Sequence, residues 1–322
     1  MSVEELTVRE ALRSGIREEM ERDESVFLMG QDEELGGTFE VTTGLYEEFG
    51  RDRVRDTPIS ETAQIGAGVG GAATGLRPVV NVSFADFLAI CYEPLMNQAA
   101  KMRYMFGGEV SVPITIRAVE GAGLNAAAQH SSTVHSMVVN LPGVKAVAPG
   151  TPAGAKGLMR SAIRADDPVV VFENKTIYER TGDVPEDVDV PLGEARVVHP
   201  GADVTVVATQ RLLGESIRIA ERLDDVGVEV IDPQTLSPLD TETVIDSVEK
   251  TGRLVVADES PLAAGFQAEV VSRVIESGFG SLDAPPQRVG IPDTPVPFSP
   301  PLEDEVVPDR EDVAAAIERT LV

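Results

Sequence analysis

Apolar residues recur along this chain in two alternating patterns, one with the spacing of buried strands and one with that of helices. Short runs rich in valine and isoleucine are typical of strands buried on both faces, whereas apolar residues three and four apart are typical of helices. The strand-like runs of the first half are 26–29, 78–82, 112–117, 144–148 and 168–172. The helix-like segments are 3–21, 43–49, 84–105, 131–140 and 152–165. This alternation predicts an α/β fold with a mostly parallel sheet covered on both faces.

The stretch 181–191 interrupts this pattern, because it is acidic, contains two prolines and lacks periodicity. A second series of strand-like and helix-like segments follows at 204–208, 212–225, 228–231, 241–249, 254–257, 266–276 and from Asp312 onward. The proline-rich stretch 285–301 is expected to wrap the surface. We therefore predict two domains, each a mostly parallel sheet flanked by helices, over residues 1–182 and 193–322, with a linker over 183–192.

Amino-acid composition and net charge restrict the functions that this chain can have. The chain has 322 residues, of which 42% are hydrophobic and 25% charged, which is enough apolar residues for a full core. Its 54 acidic and 27 basic residues give a formal charge of −27. Such a surface repels nucleic-acid phosphates. Because the acids are spread along the whole chain, we expect a cytosol with concentrated salt that screens them, rather than an ordinary acidic protein.

Three further features concern location. No apolar run approaches the roughly 18–20 residues of a membrane span, so no membrane partner is expected. The acidic N-terminus does not resemble a secretory signal peptide. The single cysteine, Cys91, lies in an apolar segment and is expected to be a buried, inert thiol. These features favour a cytoplasmic address.

The stretch Arg55–Leu76 combines a proline turn, a carboxylate and a helix of small residues. Ser60 is predicted to be the N-cap, with a hydroxyl that accepts from the first helical turn. Glu61 then falls in that turn, where the helix dipole favours a negative charge. On these residues alone, Glu61 is either a surface charge complementing the helix end or a placed functional carboxylate.

Other candidate motifs are weaker. Gly66-x-Gly68-x-x-Gly71 matches a dinucleotide fingerprint, but it does not directly follow a buried strand, so a helix with a bare packing face is the preferred interpretation. The three histidines form no metal-ligand pair on one helical face, and no phosphate-binding loop or Gly-Asp-Gly element occurs. His130 lies in a loop of small residues, where it is either solvated or placed next to a ligand.

The order of several blocks identifies a family resemblance that spans nearly the whole chain. The chain resembles the beta subunit of the thiamine-diphosphate-dependent decarboxylating component of 2-oxoacid dehydrogenase complexes, above all the pyruvate and acetoin branches. The resemblance implies a pyrimidine-binding domain and a transketolase-like C-terminal domain. It is carried by Phe27–Asp32, Asp56–Glu61, Gly75–Pro78, Asn97–Gly108, Gln129–Ser131, Leu141–Lys145, Ala155–Leu158, Ser161–Arg164, Pro238–Asp240 and Lys250–Leu254.

The resemblance also implies roles for individual residues. Glu61 would hydrogen-bond the aminopyrimidine ring of thiamine diphosphate and favour the tautomer that removes the thiazolium proton. Ile59 would pack on the cofactor, and Phe84 and Phe87 would line the aminopyrimidine pocket. His130 would help handle the acyl intermediate and its passage to lipoyl. Ser83 and the run Thr133–His135 depart from the family pattern near the expected substrate end, so the substrate stays open.

The resemblance implies that the rest of the active site and the reaction partners belong to other molecules. An alpha subunit would hold the magnesium and the diphosphate, in an α2β2 heterotetramer that serves a lipoyl-bearing acyltransferase core and a small 2-oxoacid. Backbone carbonyls of Ile114, Ala162, Ile163, Ala165 and Asp167 match a structural potassium site. Two alternatives stay open: a transketolase-like ketol transferase half-subunit and a non-catalytic assembly subunit, which would not need the pair Glu61 and His130.

Overall fold

The computed structural model describes residues 2–322, which divide between two units. The first contains the residues up to Glu120 together with Met137–Leu192, and the second contains Gly121–Ser136 together with Gly193–Val322. The division differs in two respects from the predicted one, because the segment 121–136 belongs to the second unit and the predicted linker 183–192 belongs to the first.

The first unit contains a parallel sheet whose strands follow the order β6-β7-β5-β4-β2-β3. Its strands are β1 (Val3–Thr7), β2 (Val26–Gly30), β3 (Val54–Asp56), β4 (Arg77–Val82), β5 (Thr115–Glu120), β6 (Lys145–Val147), β7 (Val169–Asn174) and β8 (Thr181–Pro185). Its α-helices are α1 (Val8–Arg22), α2 (Leu45–Phe49), α3 (Glu61–Ala73), α4 (Ala100–Met105), α5 (Ser136–Val139), through which the chain re-enters this unit, and α6 (Pro152–Arg164). Short 3-10 turns lie at Glu33–Leu35, Ala85–Ala89 and Lys175–Ile177.

The second unit contains strands in the order β14-β13-β10-β11-β9, of which only β9 runs antiparallel to its neighbour. Its strands are β9 (Arg196–His199), β10 (Val204–Ala208), β11 (Val228–Asp232), β12 (Thr235–Ser237), β13 (Leu254–Pro261) and β14 (Gln287–Ile291). Its helices are α7 (Gln210–Arg222), α8 (Thr241–Thr251), α9 (Phe266–Gly278), α10 (Pro300–Val306) and α11 (Arg310–Thr320), with a 3-10 turn at Phe279–Ser281. The prediction of a two-domain α/β fold with mostly parallel sheets is confirmed.

The core of the first unit is built from its buried strands and from the apolar faces of its helices. The strands β2, β4, β5 and β7 are buried along nearly their whole length, as expected for a parallel sheet covered on both faces. Helix α1 begins at a capping box, in which Thr7 accepts from the amide of Glu10 and the Glu10 carboxylate accepts from the amide of Thr7. Its buried face, which includes Leu12 and Ile16, belongs to the same apolar cluster as Leu158 of α6.

Several predicted boundaries are wrong. The expected helix over 84–105 is interrupted by a π-helical turn at Pro94–Ala99, since a proline in a helix interior lacks the amide that the preceding turn needs. The expected helix over 3–21 begins with a strand, β1, which pairs with β8 in the stretch predicted to be irregular. The helix expected over 131–140 is reduced to α5. The proline-rich stretch contains β14.

Candidate active site

The carboxyl ends of β2, β3 and β4 lie side by side, because β3 and β4 pair with opposite edges of β2. Gly30, the last residue of β2, is opposite both Asp56 and Asn81. In open parallel sheets, ligands bind outside the carboxyl ends of the strands where the strand order reverses. The chain leaves β3 toward Glu61 and leaves β4 toward Phe84, so both segments predicted to bind pyrimidine begin at this edge.

The segment Thr57–Gln64, here called the Glu61 turn, presents Glu61 as the first residue of α3. The amide of Thr57 donates to the carbonyl of Gly30 at 2.9 Å. The buried side chain of Gln64 donates from Nε2 to Thr57 Oγ1 at 2.7 Å and to the carbonyl of Pro58 at 3.2 Å. The Gln64 side chain therefore ties the start of the turn to the first turn of the helix that follows it.

The predicted N-cap role of the Ser60 hydroxyl is wrong. Ser60 occupies the N-cap position, but its side chain makes no capping hydrogen bond. Its backbone torsions, φ −165° and ψ 66°, differ from the extended backbone of Thr151, with ψ 158°, whose hydroxyl does accept from the helix it precedes. Gln64, which sequence reasoning missed, supplies the restraint instead. The available signal was a polar residue on the face of α3 that also carries Ile65 and Gly68.

Aromatic rings gather beside this turn. Phe84 contacts Phe87 edge to face at 5.8 Å and Phe39 at 5.4 Å between ring centroids. The hydroxyl of Thr62, in the first turn of α3, donates to the carbonyl of Ile90 at 2.9 Å, just after the 3-10 turn that carries Phe87. This bond ties the helix that bears Glu61 to the segment that bears the two predicted pocket phenylalanines.

The residues at this edge suit one half of a thiamine cofactor. Ile59 leaves 71% of its surface exposed although it is apolar, and Glu61, Phe84 and Phe87 are each partly accessible. A carboxylate can accept from a ring N–H, while apolar and aromatic side chains can pack on a flat heteroaromatic ring. This donor set fits an aminopyrimidine. It contains no group of the type that binds a diphosphate, and among residues 2–322 no acidic or histidine cluster forms a metal site.

A buried carboxylate, Glu33, lies just beyond Gly30 at the same edge. Its oxygens accept from Thr42 Oγ1 at 2.6 Å and from Asn81 Nδ2 at 2.7 Å. Burial raises the pKa of Glu33 above its ordinary value, against the lowering effects of Arg117 and of these two hydrogen bonds. A side chain added at Gly30 would lie 2.7 Å from this carboxylate, so the close approach requires glycine.

An ion pair crosses the sheet interior below these residues. Arg117 of β5 donates to both carboxylate oxygens of Glu173 of β7, at 2.7 and 2.9 Å, and Tyr178 donates to the same carboxylate at 2.7 Å. Burial alone would lower the pKa of Arg117, but Glu173 outweighs it and raises that pKa. Phe39 packs on Tyr178, which connects this pair to the aromatic cluster.

The single cysteine is buried, as expected. The pKa of Cys91 is raised to about 12, mainly by burial and to a smaller extent by the charge of Glu61. A thiol with this pKa is almost entirely protonated near neutral pH, so it is not a nucleophile.

The glycines of α3 have two different environments. A Cβ at Gly68 would lie 2.8 Å from side-chain atoms of Ile114 and Val80, so glycine allows the helix to approach β4. A Cβ at Gly66 or Gly70 would meet no atom within 4 Å. One face therefore packs on the sheet and the other is bare and exposed, which supports a packing role rather than a nucleotide fingerprint.

His130 lies in the second unit, within the segment Gly121–Ser136, here called the His130 loop. His130 is partly buried, and its amide donates to the carbonyl of Ala127 at 3.2 Å. The loop has no regular secondary structure before α5. Two oxygens of the buried Glu303 in α10 accept from the amides of Gly123 and Asn125, at 2.9 and 2.7 Å.

His135, five residues beyond His130, has a structural environment. It is fully buried, and its Nε2 lies 3.2 Å from the carboxylate of Asp258 in β13. Burial alone would raise the pKa of Asp258, but His135 and the hydroxyls of Ser260 and Thr209 outweigh it and hold that pKa at about 2. Asp258 is therefore ionised at neutral pH, and His135 anchors the end of the His130 loop.

The five carbonyls predicted to bind potassium lie in the first unit, and four of them accept hydrogen bonds from protein groups. Arg77 Nη1 donates to the carbonyls of Ile163 at 3.1 Å and of Ala165 at 3.0 Å. The carbonyl of Ile114 accepts from the amide of Val169, and that of Ala162 accepts from the amide of Ala165. The side chain of Asp167 accepts from Lys145 and Arg103.

Comparison with known proteins identifies the protein family to which this chain is similar. The pyrimidine-binding domain of transketolase matches residues 4–181, and the C-terminal domain of transketolase matches residues 193–313. A solved structure titled "Split gene transketolase, inactive beta4 tetramer" superposes with a TM-score of 0.80 over 98% of both chains. At 23% identity, this likeness supports the fold alone. In residues 2–322, no helix has the length and apolar character to cross a membrane.

Curated relatives match over nearly the full length. The beta subunit of acetoin:2,6-dichlorophenolindophenol oxidoreductase from Bacillus subtilis is 42% identical over 96% of this chain and 95% of its own. The pyruvate dehydrogenase E1 component subunit beta of Rickettsia felis is 42% identical over 98% of both chains. The 2-oxoisovalerate dehydrogenase subunit beta of Bacillus subtilis is 39% identical over 96% of both. The chain therefore belongs to the beta subunits of the thiamine-dependent 2-oxoacid and acetoin dehydrogenase family, within the transketolase-like fold.

Proposed function

We propose that this chain, together with an alpha subunit, decarboxylates a 2-oxoacid such as pyruvate, or cleaves acetoin, and passes the acyl group to a lipoyl carrier. The observation that carries the proposal is the placement of Glu61. Its carboxylate begins α3 at the carboxyl edge of the sheet, in a turn that Gln64 and Thr62 hold from both sides. Relatives named for pyruvate, acetoin and 2-oxoisovalerate support the substrate class.

Glu61 is proposed to hold a proton at the aminopyrimidine ring of thiamine diphosphate. When bound, that cofactor supplies the carbanion stabilisation that the protein lacks. Glu61 would accept from the aminopyrimidine ring, Ile59 would pack on the cofactor, and Phe84 and Phe87 would exclude water from the pocket around it. Exclusion of water strengthens the hydrogen bond to the carboxylate, because the local dielectric constant falls.

His130 is proposed to act later, on the acyl group and its transfer to lipoyl. An imidazole exchanges protons near neutral pH, as this transfer needs. The loop position of His130 suits contact with a carrier that arrives from solution. His135 is excluded from this role by its burial against Asp258.

The diphosphate and its magnesium are assigned to the alpha subunit in an α2β2 heterotetramer. The support is the donor set at the carboxyl edge, which suits the pyrimidine half alone. The bare face of α3 at Gly66 and Gly70 is proposed as a packing face for neighbouring subunits. The test is the mass of the co-expressed complex in solution, where separation of the two subunits would contradict the assignment.

The test of the function uses the co-expressed complex with Glu61→Gln, and Glu47→Gln as the control, since Glu47 is exposed on α2. Loss of a general acid–base group lowers turnover by about 100- to 10,000-fold. We expect that loss for Glu61→Gln and no loss for Glu47→Gln, with pyruvate, acetoin and branched 2-oxoacids each assayed. Wild-type turnover in the Glu61→Gln complex would overturn the role of Glu61, and no turnover by the wild-type complex on any of them would overturn the function.

The formal charge of −27 supports a proposal of residence in a salt-rich cytoplasm. Concentrated salt shortens the Debye length to about 3 Å at 1 M and so screens repulsion between surface carboxylates. The melting temperature is expected to rise as KCl increases from about 0.1 M to about 2 M. A melting temperature that falls over this range would contradict the proposal.

The candidate potassium site needs a separate test, because Arg77 already donates to two of its carbonyls. A carbonyl oxygen has a second lone pair, so the same oxygens can bind a cation as well. We propose potassium binding at Ile114, Ala162, Ile163, Ala165 and Asp167. Potassium is expected to raise the melting temperature more than choline does at equal ionic strength, and an equal effect would contradict a specific site.

A further inference from the structure

Several residues of the His130 loop adopt backbone conformations that need support from the surrounding structure. Gly121 and Gly123 have positive φ, as do the non-glycine residues Asn125, at 54°, and Ala127, at 61°. Such conformations persist in non-glycine residues only where the surroundings determine them. The loop must therefore obtain its shape from contacts outside itself.

Glu303 supplies the contacts at the first half of the loop. Its carboxylate accepts from two backbone amides that are two residues apart, one bond per oxygen, at 2.9 and 2.7 Å. Successive amides that converge on one anion form a concave site of the kind that binds phosphates and carboxylates in other proteins. Here the anion is a residue of this same chain, 180 positions from Gly123.

The burial of Glu303 makes these bonds strong. The residue is 2% exposed, whereas its neighbours Asp304 and Glu305 are exposed. Among residues 2–322, no arginine, lysine or histidine forms an ion pair with Glu303. The two loop amides are thus the groups that compensate a buried carboxylate, and hydrogen bonds to ionised groups are roughly twice as strong as neutral ones.

The second half of the loop is fixed separately. Asp258 accepts from Thr209 Oγ1 at 2.6 Å and from the amide of Ser260 at 3.0 Å, and it faces His135 at 3.2 Å. Phe266 packs edge to face on the His135 ring at 5.9 Å between centroids. His130 lies midway between the two attachment points, five residues from Asn125 and five from His135.

We infer that Glu303 is a positioning residue for His130: its carboxylate fixes the backbone of the His130 loop from α10 and so sets where the imidazole is held. The inference rests on the proposed function of His130. It assigns a role to a residue in the stretch after the proline-rich segment, whose sequence carries no sign of involvement in the site.

The experiment compares Glu303→Gln, Glu303→Asp and the exposed control Glu305→Gln in the co-expressed complex. A glutamine places an N–H group against one of the two loop amides, which leaves that amide without an acceptor. Hydrogen exchange at Gly123 and Asn125 is expected to accelerate at least about tenfold in Glu303→Gln. Glu303→Asp keeps the charge and is expected to fall between Glu303→Gln and the wild type, while Glu305→Gln matches the wild type.

A second readout separates positioning from general damage. Transfer of the acyl group to a lipoyl carrier is expected to fall about tenfold in Glu303→Gln. Reduction of the dye 2,6-dichlorophenolindophenol, which does not need the carrier, is expected to change less than about twofold. Equal losses in both assays, or exchange that matches that of Glu305→Gln, would overturn the inference. A wild-type complex inactive in both assays would refute the proposed function. Because exchange requires only the folded complex, the exchange comparison would still decide whether Glu303 fixes the loop.

Discussion

The Glu61 turn and the His130 loop carry the two proposed functional side chains, and they are held in opposite ways. The Glu61 turn is restrained mainly from within: Gln64 bonds to residues six and seven positions earlier. The His130 loop is restrained from far along the chain, by Glu303 and by Asp258, which is 123 positions from His135. A short turn that directly follows a strand thus forms with its helix, whereas the loop needs the second unit complete.

This difference has a chemical counterpart. In the proposed function, Glu61 would hold a proton at a fixed place on the cofactor ring, and a helix start on a sheet edge gives the rigidity that this role requires. In the same proposal, His130 would contact a carrier that arrives and leaves, and loops on a rigid scaffold commonly serve such contacts. The buried carboxylate of Glu303 makes the loop defined without making it part of a helix or strand.

The largest expected effect separates the two regions by reaction step. Glu61→Gln is expected to lower both dye reduction and lipoyl acylation by about 100- to 10,000-fold, because it acts before the acyl group exists. His130→Gln is expected to lower lipoyl acylation by at least about tenfold and dye reduction by less than about twofold. Steady-state rates of the assembled complex in the two assays provide the measurement. Equal losses from both substitutions in both assays would remove the distinction between the regions.

The second-largest expected effect concerns Asp258, which anchors the His130 loop from far along the chain and whose contribution to stability depends on pH. The pKa of Asp258 is about 2 in the folded protein, below the value of about 3.9 for an unfolded aspartate. The folded state therefore binds fewer protons than the unfolded state between these pH values, and stability is lost as the pH falls from about 4 toward 2. The difference corresponds to about 2 kcal/mol, present above pH 4.

Asp258→Asn should remove that contribution, and Asp304→Asn, an exposed neighbour of Glu303, is the control. Urea unfolding midpoints at a series of pH values provide the measurement. The midpoint of Asp258→Asn is expected to lie below that of the wild type at pH 7 and to approach it toward pH 2. A constant gap at every pH would show that Asp258 contributes through packing instead of charge.

A smaller effect tests the local restraint in the Glu61 turn. Gln64→Leu removes two hydrogen bonds, each worth about 0.5 to 1.5 kcal/mol, and is expected to reduce turnover about tenfold by loosening the turn. Thr57→Val removes the acceptor of one of them. The double substitution is expected to cost about 1 kcal/mol less than the sum of the single ones in urea unfolding. Additive costs would show that the Gln64–Thr57 bond contributes nothing to the turn.

The smallest expected effect concerns Ser60. Because its hydroxyl caps nothing, Ser60→Ala is expected to change stability by less than about 0.5 kcal/mol. Thr151→Ala is the matched control, since Thr151 Oγ1 accepts from the amide of Gly154 at 3.0 Å, and its loss is expected to cost about 1 kcal/mol. Thermal unfolding of both variants decides the matter, and an equal cost at Ser60 would restore the capping role.

Local physics explains what could be predicted from the sequence. Strands β2 and β7 contain continuous apolar runs, Val26–Met29 and Val169–Phe172, and the start of α3 at Glu61 follows from a proline turn and a run of small residues. The resemblance pointed to Glu61, Phe84 and Phe87, which lie in segments that the structure ties together through Thr62 and Ile90. Within the Glu61 turn, the contacts of Gln64 are close in sequence, six and seven positions apart.

The remainder depends on contacts that no local pattern records. The strand β8 could not be predicted from an acidic, proline-containing stretch, because it forms only by pairing with β1 at the other end of the unit. The same holds for Glu303, which looks like one more acidic residue in an acidic chain until its burial under the His130 loop is known. The prediction that the Ser60 hydroxyl caps α3 is wrong for a different reason, because it depends on a backbone torsion that the residue type does not determine.

The proposed role of Glu61 as the proton partner of the cofactor is tested most directly by exchange of the thiazolium proton, because this exchange involves none of the later steps. The measurement is the rate at which that proton exchanges with deuterium in thiamine diphosphate bound to the assembled complex. Exchange is expected to be about 100- to 10,000-fold slower in Glu61→Gln than in the wild type, with cofactor affinity retained. Exchange within about twofold of the wild-type rate would contradict that role.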